Sequence, residues 1–223
     1  AFLFVNILET SANALRALTD ASFQVASIIT TTGFSTTDFD QWSGACKTVL
    51  VLLMFIGACA GSTGGGIKVS RILIMFKSVV KEVHSYLHPN SVKKIKIEDK
   101  PVEHEVLRST NVYLITYICI FVVSCFFVSF DEHDLITNFT AVAATINNIG
   151  PGLELVGPIR NFSFFSPVSK FVLMFDMLAG RLELFPLLLF FHPGIWKELL
   201  VSSHKKKVRQ RELAKKLKSK VCK

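Results

Sequence analysis

Long apolar stretches alternate with short polar breaks along this chain, and two of the breaks are glycine loops of one kind. Residues 112–130 carry no charge over 19 positions, about 28 Å of helix at ~1.5 Å per residue. Residues 171–191 form a second run of 21, with Asp176, Arg181 and Glu183 inside it. Residues 15–29 are apolar at 15, 18, 25, 26, 28 and 29 but mix in Asp20, Ser22 and Gln24. That pattern is too short and too polar to span, and predicts a re-entrant helix packed inside protein. Residues 135–146 predict a second short half-polar helix. Residues 48–60 are apolar over only 13 positions, about 20 Å of helix. Gly61, Ser62, Thr63, Gly64, Gly65 and Gly66 then break the run, and a second apolar piece, 67–80, contains Lys68, Arg71 and Lys77. A spanning helix broken midway is tolerated only where its irregular backbone is buried or lines a water-filled cavity. This makes the glycine run a gate candidate.

The first loop reads Ile29-Thr30-Thr31-Thr32-Gly33-Phe34, and the second Ile146-Asn147-Asn148-Ile149-Gly150-Pro151-Gly152. Each follows a short half-polar helix and precedes an outer loop and an inward apolar segment. Gly33 and Gly150 are 117 positions apart (150 minus 33). The repeat rests on pattern, because the two copies share few letters. A desolvated cation needs close oxygen ligands, and backbone carbonyls supply them without full charge, so the ion can leave again. Turning successive carbonyls one way takes unusual dihedrals, which glycine adopts without a Cβ clash. Thr30, Thr31 and Thr32 can add hydroxyl oxygens, and Asn147 and Asn148 can brace their loop with side-chain amides. Each short helix aims its partly negative C-terminal end at its loop, which favours a cation. Either loop alone would pass for an ordinary turn. Doubled in the same context, they read as walls of an ion pore.

Composition agrees with a membrane chain. Half of the residues are hydrophobic, 20 are Phe and 19% are charged, with mean hydropathy +0.45. The net charge of +8 is unevenly spread: residues 68–108 hold nine Lys and Arg, residues 197–223 hold eleven, and residues 131–166 hold Arg160 alone. Positive residues stay on the cytoplasmic side, so 68–108 and 197–223 are expected there, with 35–45 and 131–166 facing outward. The charge is a topology signal, with attraction of the tail to membrane lipid as a secondary effect. No recognisable nucleic-acid fold accompanies the basic tail, so no nucleic-acid partner is expected. Five Cys form no CxxC and no Cys/His cluster, which suggests neither disulfides nor a metal site. Gly61 and Gly66 mimic a phosphate loop, but Ile67 stands where its Lys belongs and no Ser or Thr follows Lys68. No cofactor is expected, and no segment pairs a nucleophile with a base, so no enzyme is expected.

Arg181 lies mid-span, where a lone Arg costs at least ~2.5–3.5 kcal/mol. It needs a cavity or a partner. Two compatible readings stand: an ion pair with Glu183, Asp176 or another helix, or a positive charge in the permeation path. Residues 2–8 are apolar with no basic region before them, so the chain is read as a fragment that opens on the tail of a helix. The expected class is all-α integral membrane, built from repeated pore-loop units with re-entrant pore helices and one broken inward helix.

Four stretches together resemble the Trk/Ktr/HKT cation transporter superfamily, and within it the bacterial TrkH/TrkG type. They are SIITTTGFSTTDFD (27–40), LMFIGACAGSTGGGIKV (53–69), NNIGPGL (147–153) and MLAGRLE (177–183). The resemblance covers nearly all of the chain up to Trp196. It implies four M1–P–M2 units around one pore, of which residues 1–84 would be the third and 106–196 the fourth. Residues 85–105 would be a cytoplasmic linker and 197–223 a basic cytoplasmic tail. It implies K+ as the transported ion, with Thr31, Thr32, Gly33 and Phe34 forming one filter wall and Asn148, Ile149, Gly150 and Pro151 another. K+ would sit at Thr31, Thr32, Asn148 and Ile149. The intramembrane gate would be Gly61 to Gly66 with Arg181. The implied partners are the N-terminal half of the same transporter, a second copy in a homodimer, and a TrkA-like cytosolic nucleotide-binding ring. The implied location is the bacterial inner membrane. Two walls cannot enclose an ion, so this stretch alone is not expected to conduct.

Two other classes compete. A tandem pore-loop potassium channel lacks support because TVGYG is absent and the broken GSTGGG helix is present. A non-transporting membrane scaffold explains glycine-rich packing, but not glycine loops that follow two re-entrant helices.

Overall fold

The computed structural model describes residues 3, 14–57, 59, 61–62, 64–88, 95–97, 100–181 and 194. Expectations for residues 4–8, Thr63, Glu183 with the rest of 182–193, and the tail 197–223 lie outside the described residues. The chain divides into two units, Ala1–Leu184 and Phe185–Lys223, and every element below belongs to the first.

Six helices make the described architecture: α1 (Ala14–Ile29), α2 (Gly44–Met54), α3 (Val69–Leu87), α4 (His104–Val128), α5 (Leu135–Ile146) and α6 (Pro167–Arg181). Helix α5 is the interior element, with α2, α4 and α6 packed on it. Every residue from 140 to 147 is buried. Its polar residues survive there because their hydroxyls return to helical carbonyls, Thr140 to Ile136 at 2.7 Å and Thr145 to Ala141 at 2.9 Å. The helix starts at Asp134, whose carboxylate accepts the Ile136 N–H at 3.1 Å. Helix α1 is less enclosed. It buries a stripe of Ala17, Ala21, Gln24 and Ile28 at helical spacing, while Leu15 and Leu18 stay exposed.

Helix α4 and the 3-10 turn that follows (Ser129–Asp131) form one piece of 28 residues, with mean hydropathy 2.4 over its most apolar 18, long and apolar enough to cross a membrane. One side buries Tyr113, Tyr117 and Ser124, and the other exposes Ile115, Ile118, Val122 and Phe126. Asp131 Oδ2 accepts the Ser166 N–H at 2.9 Å, tying the end of α4 to the start of α6. Ser166 then caps α6 by accepting the Ser169 N–H at 3.2 Å, and Pro167 takes the first helical position.

The apolar run 48–60 departs from a helix reaching Ala60. Helix α2 starts earlier, at Gly44, and stops at Met54. Phe55 turns out of it to pack against Phe121 and Phe139, at ring distances of 5.7 and 6.2 Å. The next residues form strand β1 (Ile56–Gly57), which pairs in parallel with β2 (Ile67–Lys68). Backbone groups committed to that pairing cannot continue the helix. Gly57 also lies so close to Gly65 and Gly66 that no side chain fits between them. Helix α3 resumes at Val69 and runs past the expected Val80 to Leu87. Between it and α4 an antiparallel pair forms, β3 (Lys96–Ile97) with β4 (Lys100–Pro101).

Candidate functional site

The two glycine loops close their helices in the same way. After α1, the Thr31 N–H donates to the Ile28 carbonyl at 3.1 Å and the Thr32 N–H to Ser27 at 2.9 Å. After α5, the Asn148 N–H donates to Thr145 at 3.0 Å and the Ile149 N–H to Ala144 at 2.9 Å. Both are Schellman closures with a left-handed residue in the middle, Thr31 at φ 55° and Asn148 at φ 54°. Two residues on, Gly33 stands at φ 79° and Gly150 at φ 110°. Thr31 is the costly one, since a β-branched side chain rarely tolerates positive φ. Among the described residues, the carbonyls of Thr31, Thr32, Gly33, Asn148, Ile149 and Gly150 accept no hydrogen bond.

The first loop is braced by its own helix. Asp20, Gln24 and Ser27 lie on one face of α1 at spacings of four and three. Asp20 Oδ1 accepts from Thr36 Oγ1 at 3.0 Å, Gln24 Nε2 donates to the Thr37 carbonyl at 3.4 Å, and Ser27 Oγ donates to the Phe34 carbonyl at 2.6 Å. The last bond turns the Phe34 carbonyl back toward α1, unlike its three predecessors. The three threonine hydroxyls also differ. Thr30 and Thr32 share a bond at 2.6 Å, while Thr31 Oγ1 is buried with no partner among the described residues.

The second loop is braced by the rest of the bundle. Tyr117 on α4 donates its hydroxyl to Asn147 Oδ1 at 2.8 Å, and Asn147 Nδ2 donates to Ala143 at 2.8 Å. Asn148 Nδ2 donates to the Met177 carbonyl on α6 at 2.9 Å. Two glycines let neighbouring backbones reach this helix end. A Cβ on Gly65 would run into the Asn147 carbonyl, and a Cβ on Gly180 into the Ile146 carbonyl. Thus Gly65 and Gly66 abut the second loop directly.

The loops also touch each other. A Cβ on Gly33 would run into the Ile149 carbonyl oxygen, whereas one on Gly150 would meet open space. Farther out, Asp40 Oδ1 accepts the Glu154 N–H at 3.2 Å and Lys47 Nζ at 3.4 Å, linking the outer loops. A cleft of about 670 Å³ opens beside both loops, lined by Thr31, Thr32, Thr145, Asn148, Ile149 and Gly150, with Lys170, Met174 and Met177 from α6.

Arg181 is the last residue of α6 and is exposed, and among the described residues it makes no ion pair. Asp176, one of its expected partners, instead accepts from Ser124 Oγ at 2.7 Å. Sequence reasoning passed over Tyr117, Ser27 and Gly180. Ser27 and Gly180 fall inside the quoted family stretches, and Tyr117 carries no local signal.

An apolar helix bundle that encloses a polar helix end and irregular glycine backbone, with one helix long enough to cross a bilayer, is the architecture of an all-α integral membrane protein. A family model for TrkH, a cation transport protein, matches residues 7–197. The TrkH potassium uptake protein of Salmonella typhimurium is 40% identical over 195 residues, covering 87% of this chain and 39% of that protein. Its Escherichia coli counterpart is 40% identical over 186 residues, covering 83% of this chain and 38% of its own length. The crystal structure of the potassium transporter TrkH from Vibrio parahaemolyticus aligns with a TM-score of 0.79 at 37% identity, covering 87% of this chain and 42% of that one. The chain belongs to the TrkH cation transport protein family. It spans about two fifths of the length of the relatives it matches.

Proposed function

We propose that this chain forms two walls of a potassium-selective pore within a TrkH-type uptake protein. The observation that carries the reading is the pair of touching loops, alike in backbone and with unbonded carbonyls at equivalent positions. Carbonyls of Thr31, Thr32 and Gly33 in one wall, and of Asn148, Ile149 and Gly150 in the other, replace part of the ion's hydration shell. The unpartnered Thr31 hydroxyl is a further ligand. The Phe34 carbonyl, held by Ser27, ranks behind them. Strain at Thr31 is the kind of backbone cost that persists where an ion site needs it.

The segment 61–66 acts as the gate, because Gly65 abuts the end of the helix that carries the second wall. Arg181 adds a positive charge that slows cations in the path. The chain works as the third and fourth pore units, with 68–108 and 197–223 cytoplasmic. Its full-length form pairs with a second copy and with a TrkA-like cytosolic ring.

The test is growth of a strain without potassium uptake systems, complemented by the full-length protein. Gly33→Val is expected to abolish growth at low potassium, because the substitution meets both a positive φ and the Ile149 carbonyl. Normal growth would sink the filter assignment. Arg181→Ala is expected to raise cation flux in vesicles, and unaltered flux would leave Arg181 as a structural charge.

A further inference from the structure

The described part of α6 carries one carboxyl that the pore reading does not use. Asp176 is 0% exposed and Ser124 on α4 is 3% exposed. Ser124 Oγ donates to Asp176 Oδ1 at 2.7 Å, and Asp176 Oδ2 has no partner among the described residues. A buried polar group with half of its capacity unmet costs stability, so the site exists for more than packing. Its position in α6 says what it does. The next residue, Met177, offers the carbonyl that receives Asn148 Nδ2 at 2.9 Å. One turn on, Gly180 lies against the Ile146 carbonyl. Rotation or sliding of α6 would therefore break the Asn148 bond, and the Ser124–Asp176 bond opposes both movements.

We propose that Asp176, clasped by Ser124, is a positioning residue for the second glycine loop, acting through the Met177 carbonyl on the Asn148 amide. Asn148 holds a left-handed backbone at φ 54° that Asn adopts more readily than most residues. The side-chain bond to α6 secures that conformation and so the direction of the neighbouring carbonyls. This inference rests on reading residues 148–150 as an ion-selecting wall.

The experiment uses the full-length protein in proteoliposomes, with two measurements: the ratio of K+ to Na+ uptake, and amide hydrogen exchange in residues 147–152. Asp176→Leu and Ser124→Ala are expected to speed exchange in 147–152 and to lower the K+ to Na+ ratio about two- to tenfold, the effect of one lost hydrogen bond. Asp176→Asn retains the oxygen that Ser124 bonds, and is expected to stay within about twofold of the unmodified protein. Should Asp176→Leu fail to reach the membrane, Ser124→Ala, which deletes a single oxygen, carries the test. Wild-type exchange and ratio in Ser124→Ala would overturn the proposal, and so would Asp176→Asn behaving like Asp176→Leu. Exchange reads the loop whether or not ions move. Faster exchange in the variants of a protein that takes up no K+ would sink the pore reading and leave the clasp intact.

Discussion

The two glycine loops have one backbone and two different supports. The loop at 30–37 hangs on its own helix, through Asp20, Gln24 and Ser27. The loop at 147–153 is bonded to its own helix at Ala143 and Thr140, but it also hangs on three other segments, through Tyr117, Met177 and the close approaches of Gly65 and Gly180. The first is a local device, built within about twenty residues of sequence. The second is a product of assembly, and its partners on those other segments lie 29 and 30 residues away or farther. A shared conformation therefore does not imply a shared vulnerability. The first loop should tolerate changes elsewhere in the bundle, and the second should not.

Gly65→Val should break this contrast most severely. A side chain there collides with the Asn147 carbonyl, a backbone atom that cannot rotate away. Overpacking of this kind costs about 1–3 kcal/mol or more. The expected result is protein that aggregates on size exclusion in detergent and supports no uptake. A well-behaved, active variant would show that the glycine segment does not bear on the second loop.

Tyr117→Phe comes next. It strips the hydroxyl from a buried amide oxygen and should cost about 1–3 kcal/mol. Thermal unfolding in detergent should fall, with exchange rising in 147–150 and unchanged in 30–37. Equal loosening of both loops would mean that they are mechanically one unit.

Ser27→Ala should have the smallest effect on stability, about 0.5–1.5 kcal/mol. It frees the Phe34 carbonyl from α1. The expected signature is altered selectivity between K+ and Na+, with the second loop's exchange unchanged. Unchanged selectivity would detach the Ser27 brace from ion recognition.

Much of this architecture was legible beforehand. Residues 135–146 stand as helix α5 with the expected ends, and the expected helix over 15–29 gains one residue, Ala14. Short half-polar segments next to glycine loops leave little alternative, because hydropathy, length and turn chemistry agree. The broken segment was legible as a break but not in its course. Nothing in an apolar run says that a helix stops at Met54, six residues short of the expected Ala60, because the stop depends on Phe55 finding Phe121 and Phe139. Arg181 drew attention as an isolated charge, yet Asp176 is the residue with a hydrogen-bonded partner, Ser124, 52 positions away.

Hydropathy, segment length and turn chemistry pointed to a membrane chain, to the two short half-polar helices, and to Gly33 and Gly150 as positions of positive φ. These follow from local energies: the cost of charge in hydrocarbon, the length of a span, and the Cβ clash of left-handed backbone. Tertiary structure decided which oxygens stay free and which are held. Ser27 takes the Phe34 carbonyl, Tyr117 takes the Asn147 amide, and Gly65 and Gly180 admit neighbouring backbones to the same helix end. A hydrogen bond forms only between groups brought within about 3 Å. That condition depends on how helices distant in sequence pack, which no local pattern of residues encodes.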